Sequence, residues 1–309
     1  MTQSAKACRL LRDCRTYLFD CDGVLWDSNG LLPDARSLIE YLIGTERSVF
    51  LITNNSTKST EQYASKCQKL GLPVTDVMCH LVLIFYQANI ICSASIAASC
   101  LSSHGIKGPV YVVGEDGIGL ELDKLGIQHH GIGPDNPPEG DVFSGLNLES
   151  NTTCVLVGFD AHFNYRKLLK ATSYICKGLP FFATNEDAQL PADELIHPGT
   201  GSLVAAVKFA SCKEPIVVGK PHQPVFDFLM RKHHIETSKT IMVGDRLDTD
   251  IMFGNRFGMH TVCLMTGVTS KELLNKVMAT PEDVQLRPNL VYETAGHLLD
   301  AVRSADQSN

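Results

Sequence analysis

The chain has 309 residues, 44% of them hydrophobic and 20% charged, which is the composition of an ordinary folded protein of one or two domains. Its 27 Lys and Arg against 34 Asp and Glu give a net charge of −7 with no basic block, which argues against nucleic acid or an anionic membrane surface as the main partner. The 11 cysteines, with no Cys-x-x-Cys and no zinc-spaced His pair, read as free thiols of a reducing, cytoplasmic compartment, and Met1 to Arg15 lacks the apolar stretch of a secretory signal.

Thr16-Tyr-Leu-Phe19 is a short apolar run that predicts a buried strand feeding a loop at Asp20. Pro33-Asp34 opens a helical pattern through Leu38, Ile39 and Leu42, and Ser48 to Ile52 predicts a second buried strand ending at Thr53-Asn54-Asn55. A helix is expected from about Thr60 to Leu70, stopped by Gly71 and Pro73. From Val77 to Ile106 there is no charged residue, yet His80, Gln87, Asn89 and several serines interrupt it, so a membrane span is the minor reading. Further strands are predicted at Pro109 to Val113, Val155 to Gly158, Phe181-Phe182, Pro215 to Gly219, Thr240 to Gly244 and His260 to Leu264. Helices fall near Gly119 to Leu125, Tyr165 to Cys176, Leu203 to Phe209 and Lys271 to Met278. Strands alternating with helices predict an α/β fold with a doubly wound parallel sheet.

Four of these strands end in polar residues, at Asp20, Thr53, Lys220 and Asp245, and the carboxyl ends of parallel strands are where such sheets bind ligands. Asp20 and Asp22 lie two apart, so on extended chain both address one side, and close carboxylates need a cation or a shared proton between them. Asp245, in Gly244-Asp-Arg-Leu-Asp-Thr-Asp250, can complete an all-oxygen site of the kind that suits Mg²⁺. Any one Asp after a strand is more simply a helix cap or turn residue; the conjunction is what points to chemistry. Phosphomonoester hydrolysis needs a nucleophile, charge neutralisation, fixed donors and an acid for the leaving group. Asp20 can be the nucleophile, Asp22 the general acid and base, and Thr53, the Asn54 amide and Lys220 the donors to phosphate.

Phe19-Asp-Cys-Asp-Gly-Val-Leu-Trp26, Ile52-Thr-Asn-Asn-Ser56, Gly219-Lys-Pro221 and Val243 to Asp250 resemble, in order, the four motifs of the haloacid dehalogenase-like phosphatases. The resemblance runs from about Arg15 to His297 and is similar to the branch that acts on phosphoglycolate, para-nitrophenyl phosphate and pyridoxal phosphate. It implies a Rossmann-like core over residues 1–107 and 190–309 with an inserted α/β cap over 108–189. It also implies Mg²⁺ held by Asp20, Asp245 and the Asp22 carbonyl, with Asp250 in the shell around the metal and Arg246–Asp248 as an orienting pair. Cys21 is expected to turn away into the core. Within the branch, the Asn185 to Leu190 loop looks closer to the phosphoglycolate phosphatases, which makes Asn185 and Asp187 the expected substrate-specificity loop. Homodimerisation through the cap is implied as well.

The resemblance thus implies a Mg²⁺-dependent phosphatase of small monoesters, 2-phosphoglycolate first, with activity on para-nitrophenyl phosphate and with pyridoxal phosphate phosphatase as the alternative. Residues 78–88 depart from the family pattern and read as extra sequence, either a translated retained intron or a genuine insertion. The rival of another class is therefore an inactive isoform or binding protein, and a membrane anchor through 77–106 is the second rival. Asn89 to Leu101 is expected to supply the helix that joins core to cap.

Overall fold

The computed structural model describes residues 3–72, 89–137, 141–190 and 195–308, so the reading of 78–88 as extra sequence lies outside the described residues. The chain divides into two compact units, one of residues 1–53, 64–91 and 229–309, the other of 54–63 and 92–228.

The first unit is built on a six-stranded sheet in the order Leu290–Tyr292, His260–Leu264, Thr240–Gly244, Thr16–Phe19, Ser48–Thr53, Ile90–Cys92. The pairs of Thr16–Phe19 with both neighbours, and those of His260–Leu264 with its own, are parallel. The first strand is central because its side chains have no wet face: Tyr17, Leu18 and Phe19 are all fully buried. From it the chain builds outward on one side and later returns to build on the other. The sheet's switch point therefore falls between Thr16–Phe19 and Thr240–Gly244, whose carboxyl ends carry Asp20 and Asp245.

Two elements differ from expectation. Ile90–Cys92 forms the edge strand of this sheet, so the helix expected from Asn89 begins only at Ser93 and runs to Ser103. With that helix only 11 residues long, no helix among the described residues is long and apolar enough to cross a membrane. Ile216–Val217 does not join the sheet of Asp20 and Asp245. It pairs with Phe182 and Ala183, so Lys220 follows a strand of the second sheet.

That second, five-stranded sheet has the order Ile216–Val217, Phe181–Ala183, Cys154–Val157, Val110–Val113, His129–His130, again with parallel pairs. Its core gathers Tyr111, Val155, Val157 and Phe181 with Tyr174 and Val207 from the helices Tyr165–Cys176 and Thr200–Ser211. The Asn164 side chain caps the first of these helices by accepting from the Lys167 amide, and the fully buried Lys167 ammonium pairs with the equally buried Asp160 at 2.5 Å. Two parallel α/β sheets with intervening helices are the architecture that the strand–helix alternation predicts.

Candidate active site

In the first unit, Phe19 pairs with Val243, and the Asp20 amide donates to the Val243 carbonyl at 2.8 Å, which carries the ladder one residue past the strand. The chain then turns sharply. The amides of Val24, Leu25 and Trp26 all point at the Cys21 carbonyl, and Gly23 takes a left-handed φ of +81°. Cys21 itself is buried.

Asp20, Asp245 and Asp250 are 8%, 1% and 1% exposed, and each offers a carboxylate oxygen within 4.8 Å of the other two. Two of the three are fixed from behind. Asp245 Oδ2 accepts from the Val268 amide at 2.7 Å, and Asp250 Oδ2 from the Arg246 amide at 3.2 Å, on a π-helical turn Leu247–Ile251. Glycines make the space: a Cβ on Gly23 would lie 2.8 Å from Asp245 Oδ2, and one on Gly267 would overlap that carboxylate. Three buried carboxylates this close repel unless a cation sits among them, and an all-oxygen donor set fits Mg²⁺. Asp250, expected beyond the ligands, brings its carboxylate into this cluster. The Asp22 side chain stays out of it, leaving only its carbonyl for the role that the family resemblance implies.

Asp22 is held elsewhere. Its Oδ1 accepts from Trp26 Nε1 at 2.8 Å, and Lys66 Nζ stands 3.9 Å from the same oxygen and 4.3 Å above the Trp26 ring. Trp26 starts a two-stranded hairpin, Trp26–Asp27 with Gly30–Leu31, whose turn is closed by the Asn29 and Gly30 amides on Asp27 Oδ1. Arg246 pairs with Asp248 at 3.0 Å, with Asp248 on the exposed side of the loop. Thr53 ends its strand 3% exposed.

In the second unit the Asn54 side chain acts as an amide clamp. Its Oδ1 accepts from the Lys220 amide at 2.8 Å, and its Nδ2 donates to the Lys220 carbonyl at 3.0 Å and to Asp187 Oδ1 at 3.3 Å. Asp187 Oδ2 accepts from Asn185 Nδ2 at 2.7 Å, and Asn185 Oδ1 from the Thr184 hydroxyl at 2.8 Å. Gly219 packs so closely that a Cβ would lie 2.5 Å from the Thr184 carbonyl and 2.6 Å from Asn54 Oδ1. Asn185, expected in a substrate-specificity loop, is 2% exposed and bonded with Asp187 into this network. The Asn54 side chain, Trp26 and Lys66 contact expected site residues in ways that sequence reasoning missed. Only the tryptophan's place beside the acidic motif offered a signal.

A family model of haloacid dehalogenase-like hydrolases matches residues 17–128, and a second, HAD-hydrolase-like, matches 217–293. The chain is 37% identical over 260 residues to glycerol-3-phosphate phosphatase of Gallus gallus, covering 81% of this chain and 80% of that one. This chain belongs to the haloacid dehalogenase-like hydrolases. Its likeness to chloroplastic phosphoglycolate phosphatase 1A of Arabidopsis thaliana is also 37%, over 88% of this chain and 74% of the other. Among solved structures, 4-nitrophenylphosphatase of Thermotoga maritima superposes with a TM-score of 0.77 at 25% identity, over 95% and 99% of the two chains. The chain spans only 40% of a Caenorhabditis elegans relative named as a putative NipSnap protein, with 37% identity over 222 residues. This haloacid dehalogenase-like hydrolase is a phosphoric monoester hydrolase, in the branch of the named phosphatases.

Proposed function

We propose that this hydrolase cleaves small phosphate monoesters through an aspartyl-phosphate on Asp20, with 2-phosphoglycolate as its preferred substrate. The buried cluster of Asp20, Asp245 and Asp250 at adjoining strand ends supports this reading: it offers a carboxylate for attack beside others suited to a cation, where the sheet's connections diverge. The Asp20 carboxylate oxygen attacks phosphorus, and the leaving alkoxide takes its proton from Asp22. Asp22 then removes a proton from the water that attacks the aspartyl-phosphate, so phosphate leaves and both carboxyls return to their starting state. Mg²⁺ bound by the cluster with the Asp22 carbonyl would neutralise charge on the phosphoryl oxygens. Thr53, the Asn54 amide and Lys220 are the proposed phosphate donors, with Lys220 held in place by the Asn54 clamp.

The unit of residues 92–228 contains the proposed cap, 108–189, with Asn185 and Asp187 on its specificity loop and homodimerisation through the cap as part of the same proposal. Asp20, Thr53, Lys220 and Asp245, one from each of the four motifs, are buried at or just past strand ends, which supports an active enzyme over an inactive isoform. The phosphoglycolate preference is supported by that loop and by the Arabidopsis relative's name. The test is phosphate release from phosphoglycolate, glycerol 3-phosphate, pyridoxal phosphate and para-nitrophenyl phosphate, with Mg²⁺ and with chelator. Phosphoglycolate should give the highest kcat/KM of the biological esters; a higher value for either other biological ester overturns the substrate assignment.

A further inference from the structure

Lys66 and Trp26 have no part in the reaction as proposed, yet among the described residues they supply the hydrogen bond and the ion pair of the Asp22 carboxylate. The indole N–H donates to Oδ1, and the lysine ammonium lies on the indole face within ion-pair reach of that same oxygen. Oδ2 has no hydrogen-bond partner among the described residues. Trp26 is fully buried, so its N–H has a fixed direction, whereas the Asp22 and Lys66 side chains are 27% and 30% exposed. An ammonium over an indole is favourable by about 0.5–1 kcal/mol at such partly wet sites, which is enough to favour one lysine rotamer. The three groups come from three places: the loop after the first strand, the hairpin, and the helix Thr60–Lys69. Their convergence makes the two oxygens of Asp22 unequal.

We propose that Lys66 and Trp26 are positioning residues that pin Asp22 Oδ1 and so present Oδ2 as the oxygen that gives and takes the proton. This rests on Asp22 being the general acid and base. A carboxyl free to rotate would still bear a proton, but it would seldom aim it at the leaving oxygen, and misplacement by an ångström is costly in rate. The deficit should therefore depend on the leaving group. An alkoxide cannot depart without its proton, whereas a nitrophenolate can.

The experiment measures kcat/KM, which reports formation of the aspartyl-phosphate, for glycerol 3-phosphate, phenyl phosphate and para-nitrophenyl phosphate. It compares the native protein with Lys66→Met, Lys66→Arg, Trp26→Phe and Asp22→Asn. Lys66→Met should lose about 30-fold on glycerol 3-phosphate and less than about threefold on the nitrophenyl ester, the direction that Asp22→Asn takes further, within the range of general acid catalysis. Lys66→Arg keeps a cation on the ring and should restore most of the loss. Partly exposed Lys66 can be replaced without opening the core, which keeps the test informative if Trp26→Phe folds poorly. An equal loss on all three esters, or none, in Lys66→Met overturns the positioning role while Asp22→Asn still shows the split. If Asp22→Asn itself shows no split, it is the assignment of Asp22 as acid that fails.

Discussion

At the scale of single residues, backbone space is what lets the mutually repelling carboxylates cluster. Gly267 lies against the Asp245 carboxylate, and the next residue, Val268, supplies the amide that fixes it. A methyl group at position 267 has nowhere to go except into that carboxylate. Gly267→Ala should therefore raise the Mg²⁺ concentration for half-maximal activity by about 10- to 100-fold, the usual cost of disturbing what orients a metal ligand. Gly44→Ala, where a Cβ meets nothing within 4 Å, serves as the control and should leave the metal requirement unchanged. A Mg²⁺ titration of both variants decides it, and an unshifted requirement in Gly267→Ala would show that the carboxylate needs no such room.

At the scale of elements, the terminal helices are tied into the first unit by one charge cluster. Asp306, on the helix Ala295–Gln307, accepts from Arg47 at 2.5 Å and 3.0 Å and from the Tyr41 hydroxyl at 3.0 Å, while Arg12 donates to the Ser308 carbonyl at 3.0 Å. Burial would raise the Asp306 carboxyl, but the bonds from Arg47 and Tyr41 outweigh it and hold the group below its ordinary range. A folded value below the unfolded one makes the pair stabilising at all pH above the unfolded carboxylate value of about 4, and the contribution is lost as pH falls through the folded value. Asp306→Asn leaves the buried Arg47 guanidinium short of its counter-charge. It should cost about 2 kcal/mol at neutral pH, less than a fully enclosed pair because Asp306 keeps partial access to water. Urea unfolding of both proteins should show this difference shrinking as pH falls below the unfolded carboxylate value of about 4 and the native carboxylate in turn protonates. A difference that stays constant across that range would contradict the ion-pair account.

The helix Ala295–Gln307 did not stand out in the sequence, because its stripe of Leu298, Leu299 and Val302 is short and set among polar residues. The strands were legible for the opposite reason. Buried parallel strands read as unbroken apolar runs, and an Asp at the end of such a run is conspicuous. What the runs could not tell was which sheet each joins: Ile216–Val217 has the same composition as the strands around Asp20 but pairs with Phe182 and Ala183. The carboxylates were legible because they sit in local motifs. Lys66 was not, since a lysine on an amphipathic helix looks like any solvated one until the fold brings it to Trp26.

At the scale of the whole molecule, the chain carries two parallel α/β sheets. The strand ends of the first bear the proposed nucleophile Asp20 and the carboxylates proposed to hold a cation, and Lys220 with its Asn54 clamp follows a strand of the second. In the proposed reaction Asp20 becomes phosphorylated in a metal-dependent step. Acid quenching during turnover of para-nitrophenyl phosphate, followed by peptide mass spectrometry, tests it directly. With Mg²⁺, a phosphoryl group should appear on the peptide containing Asp20, and it should be absent with chelator and in Asp20→Asn. Phosphate release that proceeds undiminished in Asp20→Asn, or with chelator present, would contradict the account.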